Sequence, residues 1–456
     1  MGGWAIPLSS SRCTLTANHQ PEDSSGRLRE VLRGNRQCGK GGIYAVCSAH
    51  PAVIEAGVRQ SMEDGSLLLV ESTSSQVNQF GGYTGLTPRQ FSRFVHSAAS
   101  RAGLPPGRVL LGGDHVGPFP WRRETSVAAL GKARVLVHDC IAAGYRKIHL
   151  DASMACADDG MGISERTVAE RAAILCEAAE QACRELPPGY SHPLYVIGTE
   201  VPAPGGESDA RGPVVTKAED AHRTLEAFRL AFQERGLLSA WDRVIALVVQ
   251  PGVDFGSDAI FDYDRSKARS LSAALSEHPR IVFEAHSTDY QSPKALAQMV
   301  DDHFGILKVG PWLTFAYREA VSALSAIERE LFATTSNRQI SRVREALEAE
   351  MLRDPSQWQA YYRGGEDHVR RELIYGYSDR CRYYWHQPAV REEIAQLLRN
   401  LDERPIPLPL VSQYLPLEYE AIRSGELQAI SERMIEHHIR RVMRVYAHAC
   451  ATKPVP

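Results

Sequence analysis

The chain has 456 residues, with 52 Lys and Arg against 55 Asp and Glu, a formal net charge of −3, and 43% hydrophobic residues. That near-neutral balance, with no Lys/Arg-rich block, excludes nucleic-acid binding as the main activity, because neutralising phosphates takes a concentrated basic surface. The longest apolar runs, such as 67–70 and 245–249, fall far short of the roughly 18 residues needed to span a bilayer, so no membrane partner is expected.

Residues 1–20 lack a basic stretch followed by an apolar core and a cleavage site, which predicts no export and reads as a tail. Nine cysteines, at 13, 38, 47, 140, 156, 176, 183, 381 and 450, form an odd set without a C-x-x-C pair. They match neither a disulfide framework nor a zinc knuckle and point to reduced thiols in a cytoplasmic protein.

From residue 42 onward, short apolar or β-branched runs recur, each ending in polar residues and followed by a helix-like stretch. There are eight: 42–50 (GIYAVCSAH), 66–73 (SLLLVEST), 108–115 (RVLLGGDH), 147–153 (KIHLDAS), 194–201 (LYVIGTEV), 244–251 (VIALVVQP), 280–287 (RIVFEAHS) and 305–312 (GILKVGPW). Near-continuous apolar runs mark strands buried on both faces, as in parallel sheets covered by helices. Amphipathic stretches at 88–102, 125–143, 165–186, 218–236 and 293–304 are long enough for crossover helices. Eight such units predict a (β/α)₈ TIM barrel of the α/β class over 41–315, behind a tail and leading helix at 1–40. A doubly wound open sheet is the rival, but no G-x-G-x-x-G follows the first strand and no phosphate-binding loop motif is present.

After Phe315 the pattern turns Glu/Arg/Ala/Leu-rich, as at 318–353, 392–401 and 425–447, which predicts a helical extension over 316–456. Pro405, Pro407 and Pro409 divide it. Its amphipathic faces suit either an interface between copies of the chain or a cover for the barrel mouth. Arg440, Arg441 and Arg444 read as a solvated helix face.

In a barrel of this kind the reacting groups sit at the C-terminal strand ends. Here those ends carry Asp114-His115, His149 and Asp151, Thr199-Glu200, Gln250 and Asp254, Glu284, His286 and Ser287, and Lys308. Residues two apart share a strand face, so His149 pairs with Asp151 and Glu284 with His286. Burying so many ionisable groups without pairing or a metal is costly, and the nitrogen and oxygen donors suit a divalent cation. Glycines at 81–82 and 112–113 allow close backbone approach to a ligand, while Ser287, Thr288, Lys308, Arg122 and Arg123 are candidate phosphate partners.

The strings VCSAHPAVIEA (46–56), QVNQFGGYTGLTP (76–88), LGGDHVGP (111–118), KIHLDASM (147–154), IGTEVP (197–202), FEAHSTDYQ (283–291) and LKVGP (307–311) resemble the family of the so-called non-catalytic subunit of D-tagatose-1,6-bisphosphate aldolase. That family is similar to the zinc-dependent class II ketose-bisphosphate aldolases. Its members either support a separate catalytic aldolase chain or act alone as metal-dependent epimerases at carbon 4 of a ketohexose or its 6-phosphate.

The resemblance implies a divalent cation (Zn, Mn or Mg) held by His115, Glu200 and His286, with Asp114 as the acid and base at O4. Glu200 and Lys308 join Asp114 among the implied catalytic residues. Asp151, Gln250, Glu284, Ser287, Asn78 and Gln79 are the implied contacts to a sugar phosphate. The aldolase pattern has a histidine at the sixth strand end, where this chain reads Gln250-Pro251-Gly252-Val253-Asp254. That departure argues against bisphosphate cleavage by this chain alone. Retention of Asp114, His115, Glu200, His286 and Lys308 makes a 4-epimerase of D-tagatose 6-phosphate the expectation within the family, with an auxiliary aldolase subunit as the alternative and self-association of the chain as a further expectation.

Overall fold

A computed structural model describes residues 24–160, 162–199, 212–334 and 338–451. Eight parallel strands close into a barrel, each adjoining its neighbours in chain order and the last pairing with the first. They are β1 (Ile43–Val46), β2 (Leu68–Thr73), β3 (Val109–Val116), β4 (Lys147–Leu150), β5 (Leu194–Ile197), β6 (Val244–Val249), β7 (Val282–Ala285) and β8 (Ile306–Val309). Each lies within one of the eight sequence runs except β3, which ends one residue past its run. The strands are buried almost throughout, as expected of a sheet covered on one face by helices and filled on the other by its own side chains. A two-stranded antiparallel ribbon, Asp254–Phe255 with Ile260–Phe261, follows β6 and was not anticipated from the sequence.

The barrel interior divides by height. Its lower part is apolar: Ile43, Ala45, Leu69, Leu110, Leu194, Val196, Ala246, Val282 and Ile306 pack with Leu28 and Leu32 of the helix Ser24–Cys38, which closes the N-terminal end. Two residues further along the same strand faces the side chains become polar. Leu69 gives way to Glu71, Val282 to Glu284 and Ile306 to Lys308, and all three charged residues are buried. The site is thus held in a rigid, water-poor wall.

Crossover helices Pro88–Ala102, Ser126–Ala142, Glu165–Glu185, Ala218–Glu234 and Pro293–Asp301 stand where the amphipathic pattern placed them. The eighth, Pro311–Phe332, runs without a break past residue 315. The pattern at 318–353 covers two helices, this one and Val343–Arg353.

The final helix, Ser431–Cys450, returns to the barrel wall rather than the mouth. The Cys450 carbonyl accepts from the Gly42 amide at 3.0 Å, and the Tyr446 hydroxyl donates to the Thr288 carbonyl at 2.7 Å. Its arginines are not simply solvated: Arg440 pairs with Glu63, and Arg444 lies 3.3 Å from Glu63 and 2.9 Å from Glu426. These bonds tie the last helix to Pro51–Asp64. A different stretch approaches the mouth, where the Tyr383 ring meets Tyr83 of the loop after β2 at 4.8 Å. Among the described residues no helix is long and apolar enough to cross a membrane, and the described cysteines are free thiols.

Candidate metal and catalytic centre

Three imidazoles converge at the C-terminal end of the barrel. Ring centroids of His115 and His286 are 4.8 Å apart, His115 and His149 5.2 Å, and His149 and His286 5.3 Å. Asp114 and His115 are chain neighbours and would normally face opposite sides of β3. Both reach the centre because the β3–β4 pairing shifts register between Gly113 and Val116, and His115 takes a left-handed φ of 47°.

A carboxylate orients two of the rings. Asp151 Oδ2 lies 2.8 Å from His115 Nδ1, and Glu284 Oε1 lies 3.0 Å from His286 Nε2. The other nitrogens of these rings, His115 Nε2 and His286 Nδ1, face each other at 3.2 Å. His149 Nδ1 is 3.5 Å from Asp114 Oδ1, and its Nε2 is buried without a hydrogen-bond partner. Lys308 Nζ stands 2.8 Å from Asp114 Oδ1 and 3.4 Å from Glu284 Oε1, and it also pairs with Glu71.

The electrostatics follow from this crowding. Burial alone would raise the Asp114 and Asp151 carboxyls, but the facing histidines hold both well below the usual carboxylate range. Burial would lower His115, yet Asp114 and Asp151 push it up to about 9. Glu284, which burial would raise, is lowered to about 2 by Lys147 and the neighbouring imidazoles. Burial lowers Lys308 to about 8. Lys147 and Lys308 oppose Glu71, Glu284, Asp114 and Asp151; a protonated His115 offsets one of the two remaining negative charges, and loss of its proton restores the second.

The remaining expected residues are less directly placed. Glu200 lies outside the described residues. The Gln250 side-chain carbonyl accepts from the Gly252 and Val253 amides at 2.8 and 3.0 Å and shapes the turn after β6. Asn78 commits its amide to its own loop, donating to the Ser74 carbonyl at 2.9 Å and accepting from Phe80 and Gly82 at 2.9 and 3.1 Å. Gln79 donates to the Lys132 carbonyl at 3.0 Å, linking that loop to the helix Ser126–Ala142. Ser287 follows β7 in a left-handed conformation, φ 53°, and is half-buried. The Thr288 hydroxyl is taken by the Lys308 carbonyl at 2.6 Å. Gly82 folds its loop back on itself: at φ 55°, a Cβ there would lie 2.4 Å from the Gln76 carbonyl.

A family model described as "D-tagatose-1,6-bisphosphate aldolase subunit GatZ/KbaZ-like" matches residues 28–451. The chain belongs to this family. It is also similar to the solved structure of a probable tagatose 6 phosphate kinase from Sinorhizobium meliloti 1021, with 41% identity and a TM-score of 0.82 over 90% of this chain and 100% of that one. Two more distant matches are the YdjI aldolase of Escherichia coli K12 (11% identity, TM-score 0.39, 83% of this chain and 98% of that one) and the fructose-bisphosphate aldolase of Campylobacter jejuni (14%, 0.41, 84% and 93%). The barrel is established by the strand order, independently of those two.

In this GatZ/KbaZ-like chain the donor set fits a divalent cation. Asp114, His149, Glu284 and His286 each offer a ligand atom within 4.8 Å of the others. Two ligands each about 2.1 Å from one ion and about 100° apart are separated by about 3.2 Å, which is the spacing found between His115 Nε2 and His286 Nδ1. The orphaned His149 Nε2 and the net negative charge of the cluster point the same way. His149 was visible in the sequence only as the face partner of Asp151. Glu71 and Lys147 were missed altogether, although a Glu inside the apolar run LLLVES was a usable signal.

Proposed function

We propose that the chain is a metal-dependent epimerase of the cytoplasm that interconverts D-tagatose 6-phosphate and D-fructose 6-phosphate by inversion at carbon 4. One observation carries this reading: Asp114, paired with Lys308 at 2.8 Å, is buried among three convergent imidazoles.

Carbon 4 of a 2-ketose is not adjacent to the carbonyl, so deprotonation beside the carbonyl does not invert it. Cleavage of the C3–C4 bond does. Asp114 takes the O4 proton as that bond breaks, the aldehyde fragment rotates, and re-addition to its other face returns the proton. A cation held by His115, His149 and His286, with Glu284 or Glu200, would supply Lewis-acid stabilisation of the negative charge developing on the C2 and C3 oxygens. Lys308 places a positive charge beside Asp114 and the cleaved bond. Asp151 keeps His115 in one orientation through its Nδ1.

The family description favours a second reading, an auxiliary subunit that stabilises a separate aldolase chain. The kinase named for the Sinorhizobium relative shares the sugar phosphate but needs a nucleotide site. The one run of this sequence close to G-x-x-x-x-G-K-[ST] is 34–41, which ends in glycine and begins inside the helix Ser24–Cys38, not after a strand.

The deciding experiment incubates the purified chain alone with tagatose 6-phosphate and Mg²⁺, Mn²⁺ or Zn²⁺ and follows fructose 6-phosphate by NMR. Turnover supports the epimerase. No turnover with any of the metals, together with activation of a partner aldolase, supports the auxiliary subunit and sinks the epimerase.

A further inference from the structure

Beneath the imidazoles lies a second layer of charge, two of whose members, Glu71 and Lys147, have no part in the proposed reaction. Glu71 of β2, Lys147 of β4 and Glu284 of β7 are each 0% exposed, and Lys308 of β8 is 4% exposed. Each carboxylate bridges both lysines. Lys147 Nζ is 2.6 Å from Glu71 Oε1 and 2.6 Å from Glu284 Oε2. Lys308 Nζ contacts Glu71 Oε2 and lies 3.4 Å from Glu284 Oε1. The four side chains close a ring of alternating charge that is neutral as a whole.

Room for the ring is made on β3. Gly112 pairs in register with Glu71 on one side and Lys147 on the other. A Cβ at Gly112 would stand 2.8 Å from Glu71 Cγ and 2.9 Å from its Oε1, so only glycine lets the two charges meet across the strand. Buried ion pairs rarely add net stability over well-packed apolar side chains. The ring's upward contacts supply a different reason for it: Lys308 meets Asp114 Oδ1 at 2.8 Å, and Glu284 meets His286 Nε2 at 3.0 Å.

We infer that Glu71 and Lys147 are positioning residues, whose ring with Lys308 and Glu284 fixes the ammonium against Asp114 and the carboxylate against His286 and so sets the cluster's hold on a divalent cation. The inference rests on the reading of this cluster as the centre.

Two full-length variants test it without altering Asp114, the histidines, Lys308 or Glu284. Gly112→Ala keeps every charge and displaces Glu71. The double variant Lys147→Met with Glu71→Gln removes one charge of each sign. For both and for the wild type, Mn²⁺ and Zn²⁺ binding is measured by calorimetry, folding by circular dichroism, and kcat and KM with tagatose 6-phosphate. Both variants are expected to fold, to lose about 10- to 100-fold in metal affinity as for other groups that orient ligands, and to lose kcat with little change in KM.

Folded variants with wild-type metal affinity and kcat overturn the inference. Loss of fold in both variants also overturns it, by assigning the ring to stability alone. A wild type that binds the cation without turnover sinks the epimerase reading but leaves the affinity test standing. A wild type that binds neither cation overturns both readings.

Discussion

Asp114→Asn is the sharpest perturbation of the proposed chemistry. The two side chains have nearly the same shape, so what changes is one negative charge and the ability to take a proton at O4. Lys308 keeps Glu71 and Glu284 as partners, so the variant leaves no lone buried ammonium. The cost to the fold is therefore that of weakening one charge-assisted hydrogen bond, about 1–3 kcal/mol, rather than the roughly 3–5 kcal/mol of breaking an isolated buried pair. Removal of a general base costs about 10²- to 10⁴-fold in rate, equivalent to about 3–5 kcal/mol of barrier. The assay pairs kcat for tagatose 6-phosphate with a thermal melt and metal binding by calorimetry. A folded, metal-binding protein with kcat reduced at least a hundredfold is expected. Turnover within tenfold of wild type would remove Asp114 from the role of base, and loss of turnover in step with loss of metal would make it a ligand instead.

Cleavage of C3–C4 leaves the C4–H bond intact, so epimerisation run in D₂O should place no deuterium at C4 of the product by NMR; deuterium there would refute the bond cleavage. His149→Ala should lower divalent-metal affinity at least tenfold, and unchanged affinity would take His149 out of the ligand set. A chain ending at Ile430 loses Met434, Ile435, Ile439, Val442, Met443 and Tyr446 from the core; at about 1.5–3 kcal/mol each this matches or exceeds the roughly 5–15 kcal/mol stability of a typical domain, so an aggregated product is expected and a soluble, cooperatively melting one would contradict the packing. Glu418 accepts from His437 and His438 at 2.9 and 3.1 Å, with Glu319, Arg441 and Arg444 beside the same rings. Burial would raise Glu418, but the two imidazoles bring it from 4.5 to about 2, and burial would lower His438, but Glu319 and Glu418 raise it above 6.5. The carboxylate's contribution is thus lost as pH falls from about 4.5 towards 2, and the imidazolium's as pH rises above about 6.5. The Tm gap between wild type and Glu418→Gln should be widest between those limits, and a gap that does not vary with pH would refute the coupling.

The strands were legible because each is buried on both faces and its apolar character is nearly unbroken, as in VIALVV of β6. The strand-end residues were legible because alternation along one strand is a local property: Glu284 with His286 and His149 with Asp151 could be paired without knowing the fold. The ring was not legible, because Glu71 and Lys147 meet across an intervening strand and only the β2–β3–β4 register brings them together. Gly112 carried the matching signal, but a glycine in a strand reads as freedom for a ligand's approach until the neighbouring Glu71 is placed against it. The bulge that turns both Asp114 and His115 inward was hidden for the same reason, since strict alternation assigns only one of them to the mouth. Asn78 and Gln79 show a further use of amides near a site in sequence: their hydrogen bonds hold the loop after β2, a role that only the folded loop reveals.

The division of charge by height explains how one barrel accommodates so many ionisable groups. Were all of them in a single layer, every cation placed there to balance a carboxylate would also repel the metal. Instead the lower ring is neutral in itself and shielded on all sides, so it needs no cation and offers none. The upper layer keeps Asp114 and Asp151 against three imidazoles, an excess of two negative charges when the rings are neutral. Lys308 joins the layers: it completes the ring below and reaches Asp114 above. Its charge is shared among three carboxylates, which holds its ammonium in place against Asp114. On the proposed reading the ammonium that completes the ring also faces the base, so a change to the ring beneath should alter metal affinity and turnover together.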